Sequence, residues 1–250
     1  MADFSRQTIN RHIPVMLGIT PYLRDHRVEG KAVFPAVEAL VVLAKSVKSH
    51  YPRAVLYDQS SALFPKALSI EEAGESLEAQ IEMDESADGI IASLQTSMKI
   101  KNSSISRTLD HAKVTFAKRE IVSSTALSFR TARKMESLCI QVPAASIYRE
   151  LVPFGASYQN ITGDLTISKE GALADIAGGS GEADDDILGS PFVLDAAMHA
   201  ACVWGQRFAD RVAFPVGFDR RMIYKTTKKN RDYCARINPV ITGQEELTFV

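Results

Sequence analysis

The sequence predicts an α+β fold made twice over, each half an antiparallel sheet around one central apolar helix. Two observations carry this. The segments 35–48 (PAVEALVVLAKSVK) and 191–208 (PFVLDAAMHAACVWGQRF) are apolar on nearly every face, whereas a surface helix shows a single apolar stripe. Each is followed by stretches that alternate apolar and polar residues, the pattern of strands buried on one side.

Taken in chain order, the first helix begins at Pro35, a residue that suits the first helical position because its missing N–H costs nothing there. After it come VLYDQSSALF, then SLEAQIEM with Leu77, Ala79, Ile81 and Met83 alternating, then GIIASLQTSMKI and HAKVTF. They read as an antiparallel meander with turns at DESADG and KNSS, where small polar residues and glycine bend readily. A weak boundary follows, and DLTIS with ALADIA forms a hairpin ahead of the second helix. The acidic, glycine-rich GGSGEADDD between them reads as a solvated loop. Beyond the second helix FPVGFDRRMIYK, YCARINPV and EELTFV are strand-like, with KKNRD a polar turn. The organisation is therefore a first half, 1–120, a linker, 121–145, and a second half, 146–250.

Composition excludes several classes of function. Lys plus Arg number 29 against 30 Asp plus Glu, a net charge of −1, so no global positive field draws in a phosphate backbone. Apolar runs such as Ala36 to Ala44 are interrupted by Glu38 and followed by Lys45, far short of the roughly 20 residues of a membrane span. The opening MADFSRQTIN has no apolar signal core, which points to the cytoplasm. Cys139, Cys202 and Cys234 are odd in number, far apart and without a CxxC, so they read as reduced thiols.

Two constellations carry chemistry. In LRDHRVEGKAVFPAVEAL, His26 lies nine residues before Pro35 with Gly30 between, on extended chain leading into a buried helix. An imidazole kept neutral by apolar surroundings can accept a proton at physiological pH, and the helix N-terminus offers free N–H groups to a developing oxyanion. In SPFVLDAAMHAACVWGQ, Asp195 and His199 are four apart and share one helix face. Burial among Leu194, Ala196, Ala197 and Met198 is expected to raise the Asp195 pKa, which suits a general acid. A capping aspartate or a structural Asp–His pair is the plain alternative.

His-x-x-x-Gly-x-x-x-x-Pro, preceded by Leu-x-Asp, resembles the active-site motif of polyketide synthase dehydratase domains, which have the double hot-dog fold. The Asp-x-x-x-His of Asp195 and His199 is similar to that family's second motif. YRELVPFGASYQNITGD resembles its Gly-Tyr-x-Tyr-Gly-Pro segment through Gly155 and Tyr158, RVAFPVGFDRRMIY its Leu-Pro-Phe stretch through Phe214 and Pro215, and DHAKVTF, with His111, a strand late in its first half. Departures are Ala36 where the family usually has glycine, Ala156 for the first tyrosine, and Gln159-Asn160 for Gly-Pro. EELTFV ends where a second hot-dog sheet calls for further strands, so the resemblance implies either a truncated chain or an abbreviated member of the family.

The resemblance implies removal of water from a 3-hydroxyacyl thioester on the phosphopantetheine arm of an acyl carrier protein, in polyketide or fatty-acid-like biosynthesis. His26 would take the proton on carbon two, and Asp195 would protonate or orient the leaving hydroxyl. Gly30, Pro35, Tyr158 and His199 would bind substrate or support those two, with His199 orienting Asp195. No metal or organic cofactor is implied, and the chain would be a monomer or homodimer. Arg220, Arg221, Lys225, Lys228 and Lys229 could form a basic mouth facing the carrier protein, or merely a solvated turn. A hot-dog thioesterase, a double-bond isomerase or product-template domain, and an acyl-binding module remain alternatives on the same scaffold. A metal site is the weakest, since neither HExxH nor a His/Cys cluster occurs.

Overall fold

The structure, a computed structural model, describes residues 11–99, 106–119, 135, 138–180, 187–242 and 246–250. Its strands begin with β1 (Arg11–Gly18), β2 (Arg27–Val28) and β3 (Lys31–Phe34), which precede helix α1 (Ala36–His50). Then come β4 (Val55–Leu63), β5 (Leu68–Ser69), β6 (Ser76–Glu85), β7 (Ile90–Lys99), β8 (Ser106–Ala117) and β9 (Ile140–Pro143). A helical stretch over 144–151 and a short turn at Ala156–Tyr158 lead to β10 (Ile161–Ser168), β11 (Gly171–Ala177) and helix α2 (Pro191–Phe208). The chain closes with β12 (Gly217–Met222), β13 (Asp232–Ile237), β14 (Pro239–Thr242) and β15 (Leu247–Phe249).

Two compact units emerge. The first draws on Met1–Thr20, Phe34–Val122 and Val216–Lys225, and the second on Pro21–Val33, Ser123–Pro215 and Thr226–Val250. In the first, six antiparallel strands run in the order β1-β6-β7-β8-β4-β12 with α1 packed across β6, β7 and β8. The predicted meander is β6 to β8, and the alternation in β6 turns Ala79, Ile81 and Met83 inward, at 9%, 1% and 0% exposed. Helix α1 buries Leu40, Leu43, Ala44 and Val47 completely. Each fully buried leucine contributes roughly 1.5–3 kcal/mol. Helical geometry starts at Ala36, with Pro35 flanking it in extended conformation (φ −65°, ψ 141°), one residue outside the position expected for it.

The edge strand β1 escapes the sequence reading although Ile13, Val15 and Leu17 alternate in it, because Pro14 in the middle argues against a strand. An edge tolerates it: β1 pairs with β6 alone, Pro14 opposite Gln80. A second difference concerns β12. Expected among the strands of the second half, it instead pairs with β4, Gly217 opposite Leu63 and Met222 opposite Asp58. A two-pronged Arg220–Asp58 ion pair at 3.1–3.2 Å and a bond from Arg221 to Gln59 fix that register.

The second unit has a four-stranded antiparallel sheet, β13-β11-β10-β9, and a small hairpin of β14 and β15. The predicted hairpin is β10 and β11, Ser168 opposite Gly171. Helix α2 lies across β10, β11 and β13 and packs Ala196, Ala200, Val203 and Trp204 against Leu165, Ile167, Ala174 and Ile176. Trp204 donates its indole N–H to the Ser168 carbonyl at 2.8 Å, so the one polar atom of this ring is satisfied in the core. The KNSS turn, most of the proposed linker and the acidic part of GGSGEADDD lie outside the described residues.

Candidate active site

His26 follows a short helical turn, Pro21–Asp25, and opens the β2–β3 hairpin. The hairpin is tight: Glu29 and Gly30 both have positive φ, 51° and 78°, a left-handed pair that favours glycine at the second place. Gly30 therefore acts on His26 through the backbone. Across the hairpin Val33 N–H donates to the His26 carbonyl at 2.9 Å, and the imidazole Nδ1 lies 3.2 Å from the Val33 carbonyl. A carbonyl can only accept, so Nδ1 carries the proton and Nε2 of the neutral ring keeps a lone pair.

That Nε2 is aimed at α2. It lies 3.7 Å from Asp195 Oδ1, and the two side chains are only 13% and 7% exposed. One helical turn on, His199 Nε2 approaches the other carboxylate oxygen, Oδ2, at 2.9 Å along a bent path. The i, i+4 spacing thus does bring Asp195 and His199 together, with His26 on the carboxylate's other side. Although roughly 170 positions separate His26 from Asp195 in sequence, both belong to the second unit, because Pro21–Val33 packs there. Pro35 falls in the first unit.

Electrostatics differ from the sequence expectation in one respect. Burial pushes the Asp195 pKa up, but the charge and hydrogen bond of His199, with His26 behind them, outweigh burial and hold the carboxyl below its ordinary range. Asp195 is therefore a carboxylate near neutral pH, not the raised-pKa acid expected from its apolar neighbours. His26 is held below 6.5, chiefly by burial, against the pull of Asp195 and with help from His199. A neutral imidazole thus faces a carboxylate in buried surroundings.

Three aromatic residues wall the site. Phe154 tilts against the His26 imidazole, their ring centres 4.4 Å apart, and meets that of His199 edge to face at 4.8 Å. Tyr158, fully buried, sets its ring 5.1 Å from His26 and 5.4 Å from Phe192. The third ring is Tyr148, whose hydroxyl sits 3.4 Å from His199 Nδ1 and accepts the Ile161 N–H at 2.8 Å. With that acceptance made, the phenol proton is free for His199 Nδ1 whenever that ring is neutral, its N–H then lying on Nε2, toward Asp195. Burial first of all pushes the Tyr148 pKa well up, so the phenol stays protonated. Tyr148 and Phe154 were both present in the YRELVPFG stretch, but nothing in one-dimensional spacing singles them out from Tyr158.

Of the basic residues considered for a docking mouth, Arg220 and Arg221 are engaged with Asp58 and Gln59 in the first unit. Among the described residues no cluster of three or more His, Cys, Asp or Glu could hold a metal ion, and no helix is long and apolar enough to cross a membrane.

No protein-family model matches the chain, and no curated protein is similar to it in sequence. Solved structures are similar in fold. A trans-AT polyketide synthase dehydratase domain from Brevibacillus brevis is 18% identical, with a TM-score of 0.72 over 96% of this chain and 86% of that one. The dehydratase domain of PpsC from Mycobacterium tuberculosis is also 18% identical, with a TM-score of 0.70 over 96% and 85%. An inactive variant of the CurK dehydratase, in which a histidine is replaced by phenylalanine, is 18% identical with a TM-score of 0.68 over 99% and 92%. The chain therefore has the double hot-dog fold of polyketide synthase dehydratase domains.

Proposed function

We propose that this chain is a dehydratase, a lyase that removes water from a 3-hydroxyacyl thioester carried on an acyl carrier protein in the cytoplasm. The observation that carries this reading is the pair of unlike buried groups, His26 Nε2 and Asp195 Oδ1, 3.7 Å apart. Elimination needs a base for the carbon-two proton and a partner for the carbon-three hydroxyl. Its support includes the same-fold CurK variant, inactive with one histidine replaced.

The residues divide the work by their charge states. His26 Nε2 removes the carbon-two proton, and the C–H electron pair moves into the thioester enolate. Asp195, being ionised, accepts a hydrogen bond from the carbon-three hydroxyl and orients it, the second of the two roles its sequence position left open. As the enolate collapses, the C–O bond breaks, and the imidazolium just formed gives its proton to the departing hydroxyl. Water leaves, the double bond joins carbons two and three, and His26 is neutral again. His199, oriented by Tyr148, fixes the carboxylate, while Phe154 and Tyr158 keep bulk water from the imidazole.

Mass spectrometry of a 3-hydroxyacyl pantetheine or carrier-protein thioester tests this, with His26→Ala and Asp195→Asn alongside. Loss of one water, absent in both variants, is expected. Release of free thiol would instead mean a thioesterase, and an unchanged thioester at every chain length an acyl-binding module.

A further inference from the structure

The residue before the base does something the proposed reaction does not use. Asp25 Oδ2 accepts two bonds from one residue, the Ser157 N–H at 2.9 Å and the Ser157 hydroxyl at 2.7 Å. Its backbone carbonyl accepts the Gly155 N–H at 2.7 Å. The fit between these segments is so close that a Cβ on Gly155 would fall 2.5 Å from Asp25 Cγ, which explains glycine there better than any turn requirement does. Residues 154–158 are also the source of Phe154 and Tyr158, two of the three rings that wall the site.

We propose that Asp25 is a positioning residue, a clamp that holds the His26 segment against the 154–158 turn so that the imidazole stays both aimed at Asp195 and dry. One carboxylate thereby sets two quantities. It fixes where the base stands, since Asp25 and His26 are adjacent, and it fixes how well the base is shielded, since the shielding rings ride on the clamped turn. The titratable groups facing His26 are Asp195 and His199 from α2 and the Tyr158 phenol from the turn. None of these is altered by a change at Asp25, whose own carboxylate is committed to Ser157.

The inference rests on the dehydratase reading for its kinetic arm only. The structural arm is an NMR titration of the His26 ring in wild type, Asp25→Ala, Asp25→Asn and Ser157→Ala. Asp25→Ala is expected to move the His26 pKa up toward 6.5, because water reaches the ring. Asp25→Asn, which keeps an acceptor oxygen but no charge, is expected to titrate like wild type, and Ser157→Ala to fall between. In the kinetic arm Asp25→Ala lowers kcat on the order of 10²-fold with KM little changed, the effect of a base displaced by about 1 Å. The acid limb of kcat/KM moves up in step with the titration. Should Asp25→Ala prove unfolded, Ser157→Ala, which removes one bond, decides by the same titration. Unchanged His26 titration in both Asp25→Ala and Ser157→Ala would overturn the clamp, as would equal shifts in Asp25→Ala and Asp25→Asn, which would make charge the cause. Failure of the dehydratase reading would leave the titration intact and remove only the kinetics.

Discussion

His111 in the first unit and His26 in the second are both largely shielded from water, and the two are spent differently. His111 in the first unit is 8% exposed; its Nδ1 donates to the Lys66 carbonyl at 3.0 Å and its Nε2 meets the Thr96 hydroxyl at 2.8 Å. His26 in the second unit makes the first kind of bond, to Val33, but its Nε2 meets only a carboxylate oxygen 3.7 Å away. Burial is the leading cause that holds both rings below 6.5. A depressed pKa therefore does not by itself mark the histidine proposed as the base. What distinguishes them is a ring nitrogen left with room for a proton from outside the protein. The two central helices repeat the contrast in part: α1 buries a single charged side chain, Glu38, while α2 keeps an Asp–His pair where apolar residues of similar shape would cost less.

The sharpest way to break the comparison is to exchange the two losses. His26→Ala is expected to lower dehydration of a pantetheine thioester by roughly 10²–10⁴-fold, the range of a general base, with little change in melting temperature. His111→Leu should leave turnover in place and cost about 1–3 kcal/mol by chemical denaturation, because the Thr96 and Lys66 groups lose their partner in the interior. A stable, inactive His111 variant would sink the distinction.

A smaller effect follows from pH. Both rings bind a proton less readily folded than unfolded, so their contribution to stability is complete above 6.5 and is lost as pH falls through that value toward the folded-state pKa. Denaturation followed from pH 8 to 5 should show this slope, and His111→Leu should flatten it while the acid limb of kcat/KM stays where it was. Because the proposed mechanism needs only His26 neutral, that limb should lie below 6.5. Finding it above 6.5 would mean that the ring is wetter than its surroundings indicate. The smallest effect is expected of Tyr148→Phe, which removes the hydroxyl at His199 and should reduce kcat by a factor corresponding to about 0.5–1.5 kcal/mol, without moving KM. A loss as large as that of His26→Ala would make the phenol a proton donor.

Much of this was legible in the chain itself. Apolar wrapping announced α1 and α2, and alternation announced β6, β7, β10 and β11, since both signals are local. His26, Asp195 and His199 stood out as polar residues in apolar company at spacings with chemical meaning. The ionised state of Asp195 was not legible, because it depends on two imidazoles, one of them far away in sequence. Nor was the part of Tyr148, which turns on which hydroxyl folds back to reach His199. The grip of Asp25 on Ser157 joins residues 132 positions apart and has no one-dimensional trace.

The segments that change sides have a consequence for how the chain is made. The first sheet lacks its last strand until 217–222 is available, and the second unit lacks His26 unless 21–33, made long before, is still unclaimed. During synthesis from the N-terminus, then, neither unit can be finished while the other is absent. The first would emerge with an open edge at β4, the kind of edge that pairs with other chains. Pairings this distant along the chain also form slowly. Cutting the gene at the middle should therefore yield two insoluble pieces, each recovered only when both are produced together.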